Sequence, residues 1–215
     1  MAAVALSASE QAALHRLAAD LRRVFGDRLE SVLAYGSDRP LHSLALADRV
    51  TFADLAACIP LADDWHAADL ATPLLLSRHE FLRTLDVFPI EYGAIIEDHV
   101  VIAGASPFPG SPVHEADLRR AVEAQAKSHL IHLREGFLET GGRPEQIARL
   151  IAGSAPAYRA LLRNLERLDP SAMAGTDRGL ANELSAVNTI AEPSALLARY
   201  IAEVERVWAW VDGWR

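Results

Sequence analysis

The signatures of several common enzyme classes are missing from the 215 residues of this chain. There is no G-x-x-x-x-G-K-[ST] run to hold a triphosphate, no G-x-G-x-x-G after a strand pattern, and no G-x-S-x-G to present a nucleophilic serine. The zinc patterns H-E-x-x-H and C-x-x-C are also absent. These absences argue against a P-loop enzyme, a dinucleotide-binding Rossmann domain, an α/β-hydrolase and the familiar zinc sites.

Cysteine and positive charge are both scarce. Cys58 is the single cysteine, so an intramolecular disulfide is excluded, and its apolar neighbours indicate a small buried side chain. We therefore expect a reducing, cytoplasmic location. The 21 Lys and Arg residues are outnumbered by 29 Asp and Glu. The resulting net charge of −8 argues against general nucleic-acid binding, because affinity for phosphates comes from cationic side chains.

Long hydrophobic runs are absent as well. No stretch of about 18 apolar residues could span a membrane. The start of the chain, MAAVALSASEQ, has a short apolar run without basic residues before it, so we expect neither a signal peptide nor a membrane partner. Hydrophobic residues make up 51% of the chain and aromatic residues only 7%, and this Ala- and Leu-rich composition is typical of a largely helical globular protein.

The first half of the chain alternates helix and strand patterns. Ser7 and Ser77 are each followed three residues later by Glu, which predicts two helices with capping boxes. Pro60 should divide a further helix that Thr51 caps. Strand patterns occur in LESVLAYG, LHSLALAD, ATPLLLS and HVVIAG, whereas IEYGAII fits a helix or a strand. Alternating strands and helices indicate an α/β unit.

The composition changes between residues 104 and 112, where three Pro and two Gly occur. We predict an α/β domain over residues 1–108 and a helical domain over residues 109–215. Four amphipathic segments in the second half, separated by short turns, indicate an antiparallel four-helix bundle. The predicted fold class is α+β, with a small mixed-sheet domain followed by an all-α bundle.

The stretch VLAYGSDRPLHSLALAD places Gly36 and Ser37 in a turn between two predicted strands. At this feature the chain resembles the nucleotidyltransferase superfamily, which includes the kanamycin and streptomycin adenylyltransferases and the small bacterial MNT proteins. The order of the later elements, through LDVFPIEYGAIIEDHVVIAG and the helical half, is similar as well. The resemblance implies that the backbone of this turn and the Ser37 hydroxyl bind the phosphates of a nucleotide or of another phosphorylated small molecule.

The chain departs from that family where the chemistry takes place. The family carries Asp-x-Asp on the second strand and a third carboxylate on a later one, whereas the matching positions here are Ser43 and Ala45. Neither can hold Mg²⁺ as a carboxylate does, because hard divalent ions prefer charged oxygen ligands. The resemblance thus implies a nucleotidyltransferase-like fold whose activity has been lost.

Two alternatives stay open at this point. In one, Asp38, Asp48 and Glu91 supply the carboxylates of an active, Mg²⁺-dependent nucleotidyltransferase that acts on a small molecule or a protein. In the other, the helical domain is an interaction module. An exposed Trp near the end of the chain, such as Trp210, would then mark a homodimer contact through the helical domain.

One pair of histidines is also a candidate. His129 and His132 are three residues apart on a predicted helix, a spacing that suits either two metal ligands or a polar seam.

Overall fold

The computed structural model describes residues 5–36, 39–108, 110, 113–184 and 192–214. The chain divides into two compact units, Met1–His114 and Glu115–Arg215. The first unit contains a four-stranded sheet with helices, and in the second the residues that the structure describes form helices and their connections. The predicted α+β class is therefore confirmed.

The sheet of the first unit is mixed. Its strands are β1 (Leu29–Tyr35), β2 (His42–Ala47), β3 (Leu74–Ser77) and β4 (His99–Gly104), in the order β3-β2-β1-β4. Strands β2 and β4 both run antiparallel to β1, and β3 runs parallel to β2. All four predicted strands are present, and β1 lies between β2 and β4.

Five helices of the first unit are described: α1 (Ala8–Phe25), α2 (Phe52–Cys58), α3 (Ala62–Ala67), α4 (Arg78–Arg83) and α5 (Pro89–Glu97). The capping boxes at Ser7 and Ser77 both form, and Thr51 forms a third one with Asp54. Pro60 lies in a 3-10 turn that separates α2 from α3, as predicted. The ambiguous IEYGAII segment is helical, because Pro89 begins α5 at a position that favours a helix start.

Both faces of the sheet are covered by side chains of the core. One face packs against α1 through Val32, Ala34 and Ala45. The other face carries Leu33, Leu44 and Leu46, which pack with aromatic residues of α4 and α5. Every residue of β2 from 43 to 47 is buried, so both faces of this strand belong to the core.

The second unit contains α6 (Glu115–Glu139), α7 (Pro144–Leu168), α8 (Arg178–Glu183) and α9 (Pro193–Gly213). The long helices α6, α7 and α9 pack on one another through their apolar stripes. Helix α8 has only six residues, and the rest of that predicted helix, residues 185–191, lies outside the described part of the chain. No helix among the described residues is both long and apolar enough to cross a membrane.

Candidate functional site

The turn that follows β1 was the strongest sequence candidate. Gly36 has a φ of +72°, a left-handed conformation that favours glycine, and a Cβ placed there would meet no atom within 4 Å. The Gly36 backbone is therefore open to approach. Ser37 and Asp38 lie outside the described residues, so the predicted phosphate-binding hydroxyl and the turn carboxylate are not placed.

Three rings lie side by side where β1 reaches this turn. Tyr35 is paired with His42 on β2 and with His99 on β4. Residues directly opposite each other on neighbouring strands project to the same face of a sheet. The Tyr35 and His42 rings are stacked, with centroids 5.7 Å apart and planes 27° apart. The strand register thus brings together a phenol and two imidazoles from distant parts of the sequence.

His99 has its ring fixed by hydrogen bonds. Its Nδ1 lies 2.9 Å from the Ile95 carbonyl oxygen, which can only accept, so Nδ1 carries the proton. Its Nε2 lies 3.1 Å from the Ser106 hydroxyl, which can donate or accept. Phe108 packs edge-on against the same ring at 5.3 Å. With both ring nitrogens occupied, His99 supports the site rather than offering a free group to a ligand.

His42 differs from His99 in having free ring nitrogens. Its side chain is half-buried, and among the described residues no hydrogen bond to its imidazole is found. Burial, and to a smaller extent the neighbouring Tyr92, raises the pKa of Tyr35. The Tyr35 hydroxyl therefore stays protonated and can donate a hydrogen bond at neutral pH. Among the described residues of β1 and β2, Tyr35 and His42 offer polar groups to a ligand at this end of the sheet.

An aromatic cluster lies on the same side of the sheet. The Phe81 ring is stacked on Tyr92 at 4.5 Å and on Phe108 at 4.9 Å. Phe88 continues the cluster, with its ring 5.3 Å from that of Tyr92, and it is 43% exposed. This cluster extends from the core to the surface and ends in an aromatic ring that a planar ligand can contact.

The family's metal-binding positions are buried here. Ser43 is 1% exposed and Ala45 2%, and both project toward the face that packs on α1. The Ser43 hydroxyl finds no hydrogen-bond partner in the described part of the chain. Strand β2, HSLALA, carries no carboxylate on either face. The residues present at these positions do not fit a Mg²⁺ ion.

Of the remaining acidic candidates, Asp48 lies away from the turn and Glu91 lies on a helix. Asp48 follows the last residue of β2, at the end of the strand that pairs with Leu29. Gly36 lies at the opposite end of the β1–β2 pair, and a strand of six residues separates the two ends by about 20 Å. Glu91 is exposed in the first turn of α5 and not on a strand. Within the described ranges, no three His, Cys, Asp or Glu side chains are grouped so that they could hold a metal ion.

A groove of about 510 Å³ opens elsewhere on the first unit, between α1 and α3. Its polar lining comes from Arg16, Asp20, Arg23 and Asp64, and the Trp65 indole donates to Asp20 at 3.0 Å. Asp20 also pairs with Arg23. The groove carries charges of both signs and offers a concave surface at which a small ligand could bind.

His129 and His132 do not form a ligand pair. His129 is buried, and its Nε2 lies 2.6 Å from the Tyr200 hydroxyl. The His132 ring is exposed and lies beside Glu135, with 3.3 Å between Nδ1 and Oε2. Tyr200 also donates to the Ser154 carbonyl at 3.3 Å and forms a buried polar cluster with His129. This cluster was not predicted from the sequence. A tyrosine within an apolar stripe was the available signal, because a buried hydroxyl needs a partner.

No protein-family model matches this chain. No curated protein matches it significantly. Among solved structures, the chain is similar to a spectinomycin adenyltransferase from Enterococcus faecialis, determined with ATP and spectinomycin. The TM-score is 0.49 and the identity 8%, over 92% of this chain and 98% of that one. A similarity at this level does not establish a shared family.

Proposed function

We propose that the first unit is a nucleotidyltransferase-like domain that binds a nucleotide, or another phosphorylated small molecule, without catalysing metal-dependent transfer. The ligand would bind at the end of the sheet formed by Tyr35, Gly36 and His42. The proposal draws on the resemblance carried by the strand, Gly-Ser turn and strand, and on the groups that the fold collects around that turn.

The observation that carries the proposal is the composition and burial of β2. Nucleotidyl transfer needs positive charge held against the phosphates, which carboxylates supply by binding metal ions. Ser43 and Ala45 stand at the matching positions, and both are buried against α1. Asp48 lies at the opposite end of the strand. Of the acids named for the active alternative, Asp48 therefore lies away from the turn.

Binding of a nucleotide does not require the metal-binding carboxylates that transfer requires, and the groups around the turn favour such binding. The open Gly36 backbone leaves room for a phosphate, and His42 offers ring nitrogens to which no described residue hydrogen-bonds. A histidine can donate to a phosphate oxygen in either charge state. Phe88 offers an exposed ring on which a nucleobase can stack. These groups fit a ligand with an anionic end and a planar end.

Calorimetric titration of the full chain with ATP and GTP, in EDTA and then in Mg²⁺, tests this proposal. We expect binding in EDTA that Mg²⁺ does not strengthen and that His42→Ala weakens by about tenfold, the equivalent of one hydrogen bond. His66→Ala is the matched control, because His66 is an exposed histidine hydrogen-bonded to Thr72 in another part of the unit.

A transfer assay distinguishes the active alternative. Incubation of the wild-type chain with each labelled nucleotide in Mg²⁺ should release no pyrophosphate. Pyrophosphate release that Glu91→Gln abolishes would overturn the proposal, as would a complete lack of heat at millimolar nucleotide.

A further inference from the structure

Helix α2 exposes its apolar side and buries its polar one. Phe52 is 84% exposed, Ile59, which follows the helix, is 72%, and Leu55 is 45%. The buried residues of the helix are Asp54 and Cys58. A surface helix of a globular protein normally shows the reverse pattern, with its apolar stripe toward the core.

The Asp54 carboxylate explains this orientation. It accepts from the Arg28 guanidinium at 2.6 and 2.9 Å and from the Thr51 backbone N–H at 2.9 Å. Rotating α2 to bury Phe52 would expose the aspartate and break this bidentate pair. The fold therefore holds the apolar side of α2 in contact with solvent.

The exposed surface formed by Phe52, Leu55, Ala56 and Ile59, here called the α2 face, carries no charge. Asp54 is the one charged residue between Thr51 and Ala62, and Arg28 neutralises it. Leu138, on α6, is also highly exposed but has charged neighbours, because it lies next to Glu139 and one turn after Arg134 and Glu135. A contiguous, uncharged apolar surface of this kind is typical of an interaction site.

We propose that the α2 face binds the α2 face of a second copy of this chain, about a two-fold axis near Leu55 and Ala56. Two antiparallel α2 helices would then place each Phe52 against Ile59 of the other copy. These two residues are seven positions apart, or about 10 Å along a helix, on either side of the axis. Ala56 is small enough to let the helices approach closely.

The absence of charge on the α2 face bears on what can occupy it. The net charge of −8 opposes self-association of this chain, and this repulsion is smallest where an uncharged surface forms the contact, because salt screens charges that are more than about 10 Å away. The α2 face has no cationic side chain that would attract an anionic membrane. It also has no charged side chain that would attract a partner of opposite charge. A surface that is uncharged and apolar is complementary to itself.

The size of the α2 face predicts a weak dimer. Its three large side chains leave roughly 400 Å² of apolar surface in water, so two copies would bury about 800 to 1,000 Å². This area lies below the roughly 1,200 to 2,000 Å² of stable specific interfaces and in the range of weak, transient ones. We therefore expect a reversible dimer that forms at micromolar or higher concentrations.

Analytical ultracentrifugation of the full chain over a concentration series tests the proposal. The wild-type chain should show a concentration-dependent dimer, and Phe52→Glu and Ile59→Lys should each weaken it at least tenfold. Both positions are exposed, so circular dichroism should show unchanged folding. Leu138→Glu, an equally exposed site on α6, is the matched control and should dimerise like the wild type.

A mixture of the two variants tests the antiparallel geometry. In a mixed dimer, one contact pairs Glu at position 52 with Lys at position 59, and the other keeps the native Phe52 and Ile59. The mixture should therefore dimerise although neither variant does so alone. Any of four results would overturn the proposal. These are a strictly monomeric wild type, a dimer lost only in Leu138→Glu, a mixture that stays monomeric, and flotation of a monomer with phosphatidylcholine vesicles.

Discussion

Arg28 and Asp54 form a bidentate ion pair that joins the segment before β1 to the first turn of α2, with Nη1 to Oδ2 at 2.9 Å and Nη2 to Oδ1 at 2.6 Å. The Thr51 backbone N–H and hydroxyl donate to the same carboxylate. One buried side chain therefore caps α2, fixes its rotation and anchors it beside the sheet.

Asp54→Asn should destabilise the first unit by about 2 kcal/mol or more, because hydrogen bonds to a charged group contribute about 1.5 to 3 kcal/mol. The Arg28 hydrogen bonds hold the pKa of Asp54 well below its ordinary value of 3.8. The carboxylate is thus stabilising above that value, and its contribution is lost as the pH falls below it. Urea unfolding of both proteins from neutral to acidic pH measures this difference.

Asp63→Asn provides the control for that measurement, because Asp63 is exposed in α3. Its stability should follow the wild type at every pH. Equal stability of Asp54→Asn and wild type at neutral pH would show that the ion pair does not anchor α2.

The two buried tyrosines of the second unit should respond differently to loss of their hydroxyls. Tyr200 hydrogen-bonds to His129 and to the Ser154 carbonyl, whereas the Tyr158 hydroxyl has no partner among the residues described. Tyr200→Phe should cost about 1 to 2 kcal/mol of unfolding free energy, and Tyr158→Phe about 0.5 kcal/mol or less. Chemical denaturation of the two variants measures the difference, and the reverse order would contradict the contacts described.

The second unit should lose stability in mild acid through His129. Burial, and to a smaller degree His132, lowers the pKa of His129 from 6.5 to about 4. Between these values the unfolded chain binds a proton that the folded chain excludes, so stability falls as the pH falls through this window. The full effect is about 3 kcal/mol.

Replacing His129 with Gln should flatten the pH dependence over this window, whereas His132→Gln, which removes only the smaller cause, should leave most of it in place. Unfolding curves between pH values of about 7 and 4 provide the readout. A wild-type profile without slope in this window would be inconsistent with a buried neutral His129.

Substitutions at Ser43 test whether β2 can accept a carboxylate at this buried position. Ser43→Asp should destabilise the first unit by roughly 3 to 5 kcal/mol, because an unpaired carboxylate would be buried against α1. Ser43→Ala should be close to neutral, because the hydroxyl has no partner among the described residues. Thermal melts of both variants, with and without Mg²⁺, measure this. A stable Ser43→Asp protein that melts higher in Mg²⁺ would show that β2 can present a metal site.

Local signals in the sequence predicted the elements well. The Ser7, Thr51 and Ser77 caps and the break at Pro60 depend on residues within a few positions of one another, and all of them form. The orientation of α2 was not predictable in this way, because it depends on Arg28, which is 26 residues away from Asp54.

The candidate site was only partly predictable for the same reason. Its Gly36 turn was evident from the sequence, but the row of His42, Tyr35 and His99 depends on the register of three strands. His99 is 64 residues beyond Tyr35, and no local pattern links the two. The burial of both faces of β2 likewise follows from helices that pack on the sheet from distant segments.

The most direct test of the proposed binding site is a titration of ¹⁵N-labelled full chain with ATP, first in EDTA and then in Mg²⁺, followed by amide chemical shifts. We expect the amide chemical-shift changes to be concentrated at Tyr35, Gly36 and His42 and to be present already in EDTA. Gly36→Val should abolish them, whereas Gly142→Val, at another left-handed glycine with open space around it, should not. Chemical-shift changes confined to the groove at Arg16 and Trp65, or changes that appear only with Mg²⁺, would contradict the proposed binding site.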